Sequence, residues 1–272
     1  MLHYIKIGTG SKVMIGFHGF GRDASMFQNY ENVFPDYTIY SIALYFHGSS
    51  WTRPTYDLNE DEWKSEFSEF LDTHRIDKFS ILGFSLGGKL ALFTYQIFSE
   101  RVENIHLLAP YGIQKNFIES LVQKTPFLFW KMKKFIDQPA FLFRLAKGLH
   151  NSKLLNPTLM QIILRQLDSK EKRSTAFYSM LLYGAIELNL KEIRQSFERQ
   201  KANVHIYLGK FDQVLRLENL YQHLGSLSNF SLHVLPSGHS SLPHKVRDIL
   251  RQKTVMSDVD ISKNNQPQLQ MY

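Results

Sequence analysis

In Phe79-Ser80-Ile81-Leu82-Gly83-Phe84-Ser85-Leu86-Gly87-Gly88 an uncharged, mostly apolar run stops at a serine flanked by glycines. The run suits a buried strand, and Leu86 to Ser99 suits the helix that follows it. The junction Gly83-Phe84-Ser85-Leu86-Gly87 fits the G-x-S-x-G turn. Bulk at either glycine would collide with neighbouring backbone. The turn pushes the Ser85 hydroxyl outward at the amino end of a helix, where free N–H groups and the helix dipole favour developing negative charge. The pattern is short and the chain has 15 glycines, so it carries weight only with its strand-to-helix context.

Outward from this stretch the strand-then-helix rhythm repeats. Residues 12–17 read as a buried strand and 37–42 as another. A helix follows from Asn59, with Asn59 as its cap, Glu62 three residues on, and Trp63, Phe67, Phe70 and Leu71 at helical spacing. A strand over 103–109 ends at Pro110. From about Tyr111 to Lys201 strand signals vanish, and helix starts recur at Thr125-Pro126, Asn156-Pro157 and Ser169, which predicts an insert of four or five helices. Strands return at 203–208 and 231–235. The expected organisation is an α/β core of residues 1–111 and 202–252, a helical cap at 112–201, and a disordered tail at 253–272.

Composition narrows the class. Hydrophobic residues at 43% and charged residues at 21% exclude a disordered or fibrous chain. The absence of cysteine excludes disulfides and thiolate metal sites. No apolar run reaches membrane-spanning length, and the first residues lack a signal-peptide layout, so a soluble cytoplasmic protein is expected. The net charge of +7 belongs to one region: residues 113–201 hold 16 Lys and Arg against 7 Asp and Glu.

A serine needs a base, and histidine is the usual one. Of 11 histidines, His239 in Pro236-Ser237-Gly238-His239-Ser240 follows the last predicted strand and is preferred. His18 sits in His18-Gly19-Phe20-Gly21 directly after the strand of 12–17. This loop supplies one oxyanion N–H, from Phe20, beside the N–H of Leu86; alternatively His18-Gly19 is only a tight turn. His47, in His47-Gly48-Ser49-Ser50, reads as loop-shaping. His3, His106, His205 and His233 fall in predicted strands, and His223 and His244 on predicted helices. Asp212, in the loop after 203–208, is the preferred candidate for the acid that orients His239; the alternative is a turn aspartate, and Glu218, inside a predicted helix, is the reserve.

The order Ser85, Asp212, His239, each in a loop after a strand, resembles the α/β-hydrolase superfamily over about residues 2–252. The resemblance implies an eight-stranded, mostly parallel sheet with helices on both faces and an inserted cap, or one strand fewer because the first strands are short. It implies Ser85, Asp212 and His239 as a triad and Phe20 and Leu86 as oxyanion donors. Leu44-Tyr45-Phe46-His47-Gly48-Ser49-Ser50 departs from the family's D-x-P-G-H-G-x-S loop. No metal or organic cofactor is implied.

The expected activity is cleavage of a carboxylic ester or thioester of a small acyl substrate through an acyl-serine. Gly83-Phe84-Ser85-Leu86-Gly87-Gly88 and His18-Gly19-Phe20 also resemble menaquinone-pathway synthases of the MenH type, which keeps open a lyase or C–C bond hydrolase on an acidic substrate. A receptor-like binding protein is the alternative of another class. The cap's Phe127-Leu128-Phe129-Trp130 and Phe141-Leu142-Phe143, with Lys131, Lys133, Lys134, Arg144 and Lys147, read as packing aromatics and solvating cations. Lining an acyl pocket, or touching anionic lipid, are lesser alternatives. No nucleic-acid module is visible.

Overall fold

β-Branched and aromatic runs become strands where the alternation places them. In the computed structural model these are β1 (Tyr4–Ile7), β2 (Lys12–Phe17), β3 (Tyr37–Ile42), β4 (Phe79–Phe84), β5 (Val102–Leu108), β6 (Asn203–Gly209) and β7 (Phe230–Leu235). The structure describes residues 2–48, 50, 58–113, 132–152, 157–213, 230–257 and 270–271. The sheet order is β1-β3-β2-β4-β5-β6-β7-β8, where β8 is the pair Gln270–Met271 beside β7. Only β1 runs antiparallel, against β3; every other pairing is parallel. The mostly parallel α/β sheet is thus as read, and its eighth strand comes from the end of the chain.

Helices cover both faces. α1 (Glu60–Thr73) and α2 (Leu86–Phe98) lie on the larger core, and the side chain of Asn59 caps α1 by accepting from the Glu62 N–H at 2.9 Å. Phe67 is fully buried among the rings of Phe17, Trp63, Phe70, Phe79 and Phe98. The opposite face packs Met14, Phe27, Tyr30, Leu82, Tyr207 and Leu242. Leu242 opens the last helix, numbered α7 below, which runs to Ser257. That helix extends into the stretch expected as a tail; residues 258–269 lie outside the described ones.

Within the expected insert the structure describes α3 (Pro139–Asn151), α4 (Pro157–Gln166), α5 (Lys170–Gly184) and α6 (Leu190–Gln200), followed after β7 by α7 (Leu242–Ser257). Ser169 caps α5, as its position suggests, through the Lys172 N–H. The start expected at Thr125-Pro126, the apolar face of Phe117, Ile118, Leu121 and Val122, and the aromatics of 127–130 lie outside the described residues, as do Glu218 and His223. α6 packs on α2, with the rings of Tyr95 and Phe197 stacked at 4.2 Å, and Leu182, Tyr183, Ile186 and Ile193 join the same core. The later part of the insert therefore belongs to the layer that covers the sheet.

The strand histidines are mutual neighbours. His106 pairs with His205 across β5 and β6, their rings stacked at 4.7 Å, and burial holds the His106 imidazole well below its ordinary pKa. Replacing Phe67 by Ala leaves a cavity under α1 that the surrounding rings cannot fill. It should lower unfolding free energy by about 3–5 kcal/mol in a denaturant titration.

Candidate active site

The sheet order places the site. β3 and β4 flank β2 on opposite sides, so the chain reverses its direction of winding there and leaves a crevice at the carboxyl ends of β2 and β4. Phe17 pairs with Gly83 in register, which sets the loops after these two strands side by side. One loop begins at His18 and the other is Ser85.

Ser85 has φ 51° and ψ −114°, a conformation that costs a non-glycine residue about 1–3 kcal/mol. The turn is held by the Ser85 N–H donating to Leu108 C=O at 2.9 Å, and by Gly88 and Tyr111 N–H groups donating to Ser85 C=O, both at 2.9 Å. The glycines are required sterically. A Cβ on Gly87 would lie 2.0 Å from the Phe17 carbonyl oxygen, and one on Gly83 would lie 2.7 Å from that of Gly87. Helix α2 can therefore start directly against the end of β2.

The three residues read as base, acid and nucleophile converge. His239 Nε2 stands 2.9 Å from Ser85 Oγ, and His239 Nδ1 stands 2.7 Å from Asp212 Oδ2. His239 is 8% exposed and the Asp212 carboxylate is fully enclosed, while Ser85 is half-buried. β6 and β7 are neighbours, so their following loops are stitched together: Lys210 N–H donates to Leu235 C=O and Phe211 N–H to Ser237 C=O. The imidazole packs its ring on Phe84 at 5.2 Å.

Two hydroxyls went unread in the sequence. Ser237 Oγ donates to Gly238 C=O and sits 2.9 Å from Ser241 Oγ, which also reaches Gly238 C=O. This clasp shapes the turn that presents His239; serines bracketing a Gly-His pair were the available signal.

On the opposite side, Leu86 is the first residue of α2, where an N–H has no intrahelical acceptor. Phe20 follows Gly19 in the turn closed by Arg22 N–H donating to Gly19 C=O. Behind it His18 is fully buried. Leu44 N–H donates to His18 Nε2 at 3.0 Å, so Nε2 must be an acceptor and the proton sits on Nδ1, which donates to Gly19 C=O at 2.9 Å. His18 thus ties the β2 loop to the β3 loop. His47 bonds through Nδ1 to Tyr45 C=O and stands edge-on to both Phe20 and His18, which agrees with a loop-shaping role. Burial lowers the His18 pKa to about 3, with the neighbouring His47 contributing, and burial lowers that of His47 to about 4. Among the described residues no group of three or more His, Asp, Glu or Cys could hold a metal ion. No helix among them is long and apolar enough to cross a membrane.

Lowered histidine pKa values make stability depend on pH. Above about 6.5 both rings are neutral in the folded and unfolded chain. As pH falls from there towards 4 and then 3, the unfolded chain takes up protons that the folded one refuses, so stability is lost across that window. Thermal melts should show this decline, and His47→Gln should flatten its upper part.

Residues 12–245 match the family model described as alpha/beta hydrolase fold. The rat (Rattus norvegicus) 1-acylglycerol-3-phosphate O-acyltransferase ABHD5 is 32% identical over 100 residues, 35% of this chain and 28% of that protein. The Caenorhabditis elegans abhydrolase domain-containing protein abhd-5.2 is 26% identical over 139 residues, 48% of this chain and 31% of that protein. The matches thus span less than a third of these relatives' length. Among solved structures, a thermophilic esterase from Thermogutta terrifontis superposes with a TM-score of 0.66 at 15% identity, covering 94% of this chain and 92% of the other. A meta-cleavage product hydrolase from Pseudomonas fluorescens gives 0.58 at 20% identity, covering 94% of each. At such identities these two likenesses concern the fold.

Proposed function

The chain belongs to the alpha/beta hydrolase fold family, and we propose that it is a serine hydrolase cleaving a carboxylic ester or thioester through an acyl-Ser85 intermediate. The reading rests on one observation: Ser85 Oγ, His239 and Asp212 form a continuous hydrogen-bonded line, 2.9 and 2.7 Å long in its two links. Residues 112–201 are read as the inserted cap of this site.

In the proposed reaction His239 Nε2 accepts the Ser85 proton as Oγ bonds to the acyl carbon. The Asp212 carboxylate accepts a hydrogen bond from Nδ1–H, which selects the tautomer with a free Nε2 lone pair and stabilises the imidazolium that forms. The carbonyl oxygen, now carrying the negative charge, accepts from the N–H groups of Leu86 and Phe20. When the tetrahedral species collapses, the bond to the leaving oxygen or sulfur breaks and His239 returns the proton to it. Water, deprotonated by the same imidazole, then attacks acyl-Ser85 and releases the acid.

A second reading is favoured by the likeness to rat 1-acylglycerol-3-phosphate O-acyltransferase. Here an alcohol instead of water takes the acyl group from Ser85, with the same proton bookkeeping at His239. Product analysis with an added alcohol acceptor separates the two, since transfer yields a new ester and hydrolysis only the acid.

A fluorophosphonate probe should label the protein at Ser85, and Ser85→Ala should abolish both labelling and turnover of p-nitrophenyl esters while leaving the thermal melt unchanged. Folded protein that resists the probe would favour a binding role. Asp212→Asn should lower kcat about 10⁴-fold with little change in KM, because the wrong tautomer is then held. In an ester panel of rising acyl length, a lyase would turn over none of the members appreciably.

A further inference from the structure

Between Asp137 and Asp168 the sequence contains no carboxylate side chain, yet it carries Arg144, Lys147, Lys153 and Arg165 together with His150. This stretch holds α3 and α4, which pack against each other. Phe143, Lys147 and His150 recur at helical spacing on α3, and Met160 and Leu164 on α4, so each set shares one helix face. The two faces meet in an open groove of about 450 Å³ lined by the apolar Phe143, Met160 and Leu164 and by the basic Arg144, Lys147 and His150. Phe143 is 42% exposed, one of the few large apolar side chains so presented among the described residues.

Covering this ring would remove apolar surface from water, and the two cations beside it say what kind of cover fits. Among the described residues the ion pairs of this region join Lys170 to Asp137 and Lys172 to Asp168, both at 2.7 Å, and leave Arg144 and Lys147 without a carboxylate. An acidic protein surface would satisfy the cations but not the apolar side chains beside them. A neutral apolar partner would do the reverse.

We propose that the α3–α4 face is a docking surface for an anionic phospholipid bilayer, with Phe143 entering the headgroup–acyl boundary and Arg144 and Lys147 meeting lipid phosphates and carboxylates. The association proposed is peripheral, an exposed ring with flanking cations resting at the interface. It stands independently of the hydrolase reading, although a cap docked this way would hold the site next to lipid-borne acyl groups.

The test is flotation of the full chain with vesicles of phosphatidylcholine alone and of phosphatidylcholine mixed with phosphatidylserine. Binding is expected only to the anionic vesicles and should fall as salt is raised. Arg144→Ala and Lys147→Ala should each lower the partition coefficient about fivefold, the fold-change equivalent to ~1 kcal/mol per basic side chain near an anionic surface. Phe143→Asp should remove binding. All three variants should keep the wild-type melt, and Ser85→Ala should bind like the unsubstituted chain, which separates docking from catalysis. The proposal is overturned if the chain ignores anionic vesicles, if it binds neutral ones equally well, or if the three substitutions leave binding unchanged.

Discussion

The contact on which this structure depends is the approach of helix α2 to the end of strand β2. The first turn of the helix lies so near the Phe17 and His18 carbonyls that a single methyl at Gly87 would fall 2.0 Å from one oxygen and 2.4 Å from the other. Because the helix starts there, Ser85 must occupy a left-handed turn, and the bonds from Gly88, Lys89 and Tyr111 to its carbonyl hold it in that state. The strain is sustained by these bonds and by the tight packing around Gly83, Gly87 and Gly88. The Ser85 hydroxyl is thereby presented, half-buried, at the start of a helix.

Sheet order then supplies what the turn lacks. A parallel sheet puts the loops after all its strands on one edge, and the pairing of β6 with β7 puts the Asp212 and His239 loops next to each other. β5 lies between this pair and β4, and the His239 ring nevertheless comes within 2.9 Å of Ser85 Oγ. The buried pair His18 and His47 completes the frame from the other side. Each is kept neutral by its dry environment, and His18 uses both ring nitrogens to hold the β2 loop against the β3 loop. A neutral ring suits this place, since burial penalises a cation there more than the charge of Asp23 favours it.

The helical insert divides by what its residues face. Its last helix, α6, has Phe197 stacked on Tyr95 and is part of the main core. α5 makes the join through Tyr178, whose ring stacks on Phe46 at 5.2 Å, and through Leu182. α3 and α4 face outward with their cations and the exposed ring of Phe143. The uneven charge of the chain thus has a location in space as well as in sequence.

Local chemistry determined a good deal by itself. The strands β2, β3 and β4 begin and end where their β-branched and aromatic runs do, Asn59 and Ser169 cap the helices they precede, and the glycine spacing around Ser85 demands a tight turn. These features depend on neighbours a few residues away, so a linear pattern contains them. The partnership of Ser85 with His239, 154 positions later, was legible in the order of the chain, but its contact, the role of Ser237 and Ser241, and the stacking of His106 on His205 were decided by the tertiary structure. So were the inclusion of α6 in the core and the use of the chain's end as an eighth strand. Each of these is a contact between segments remote in the chain, and its energy comes from strand pairing and burial, which no local spacing records.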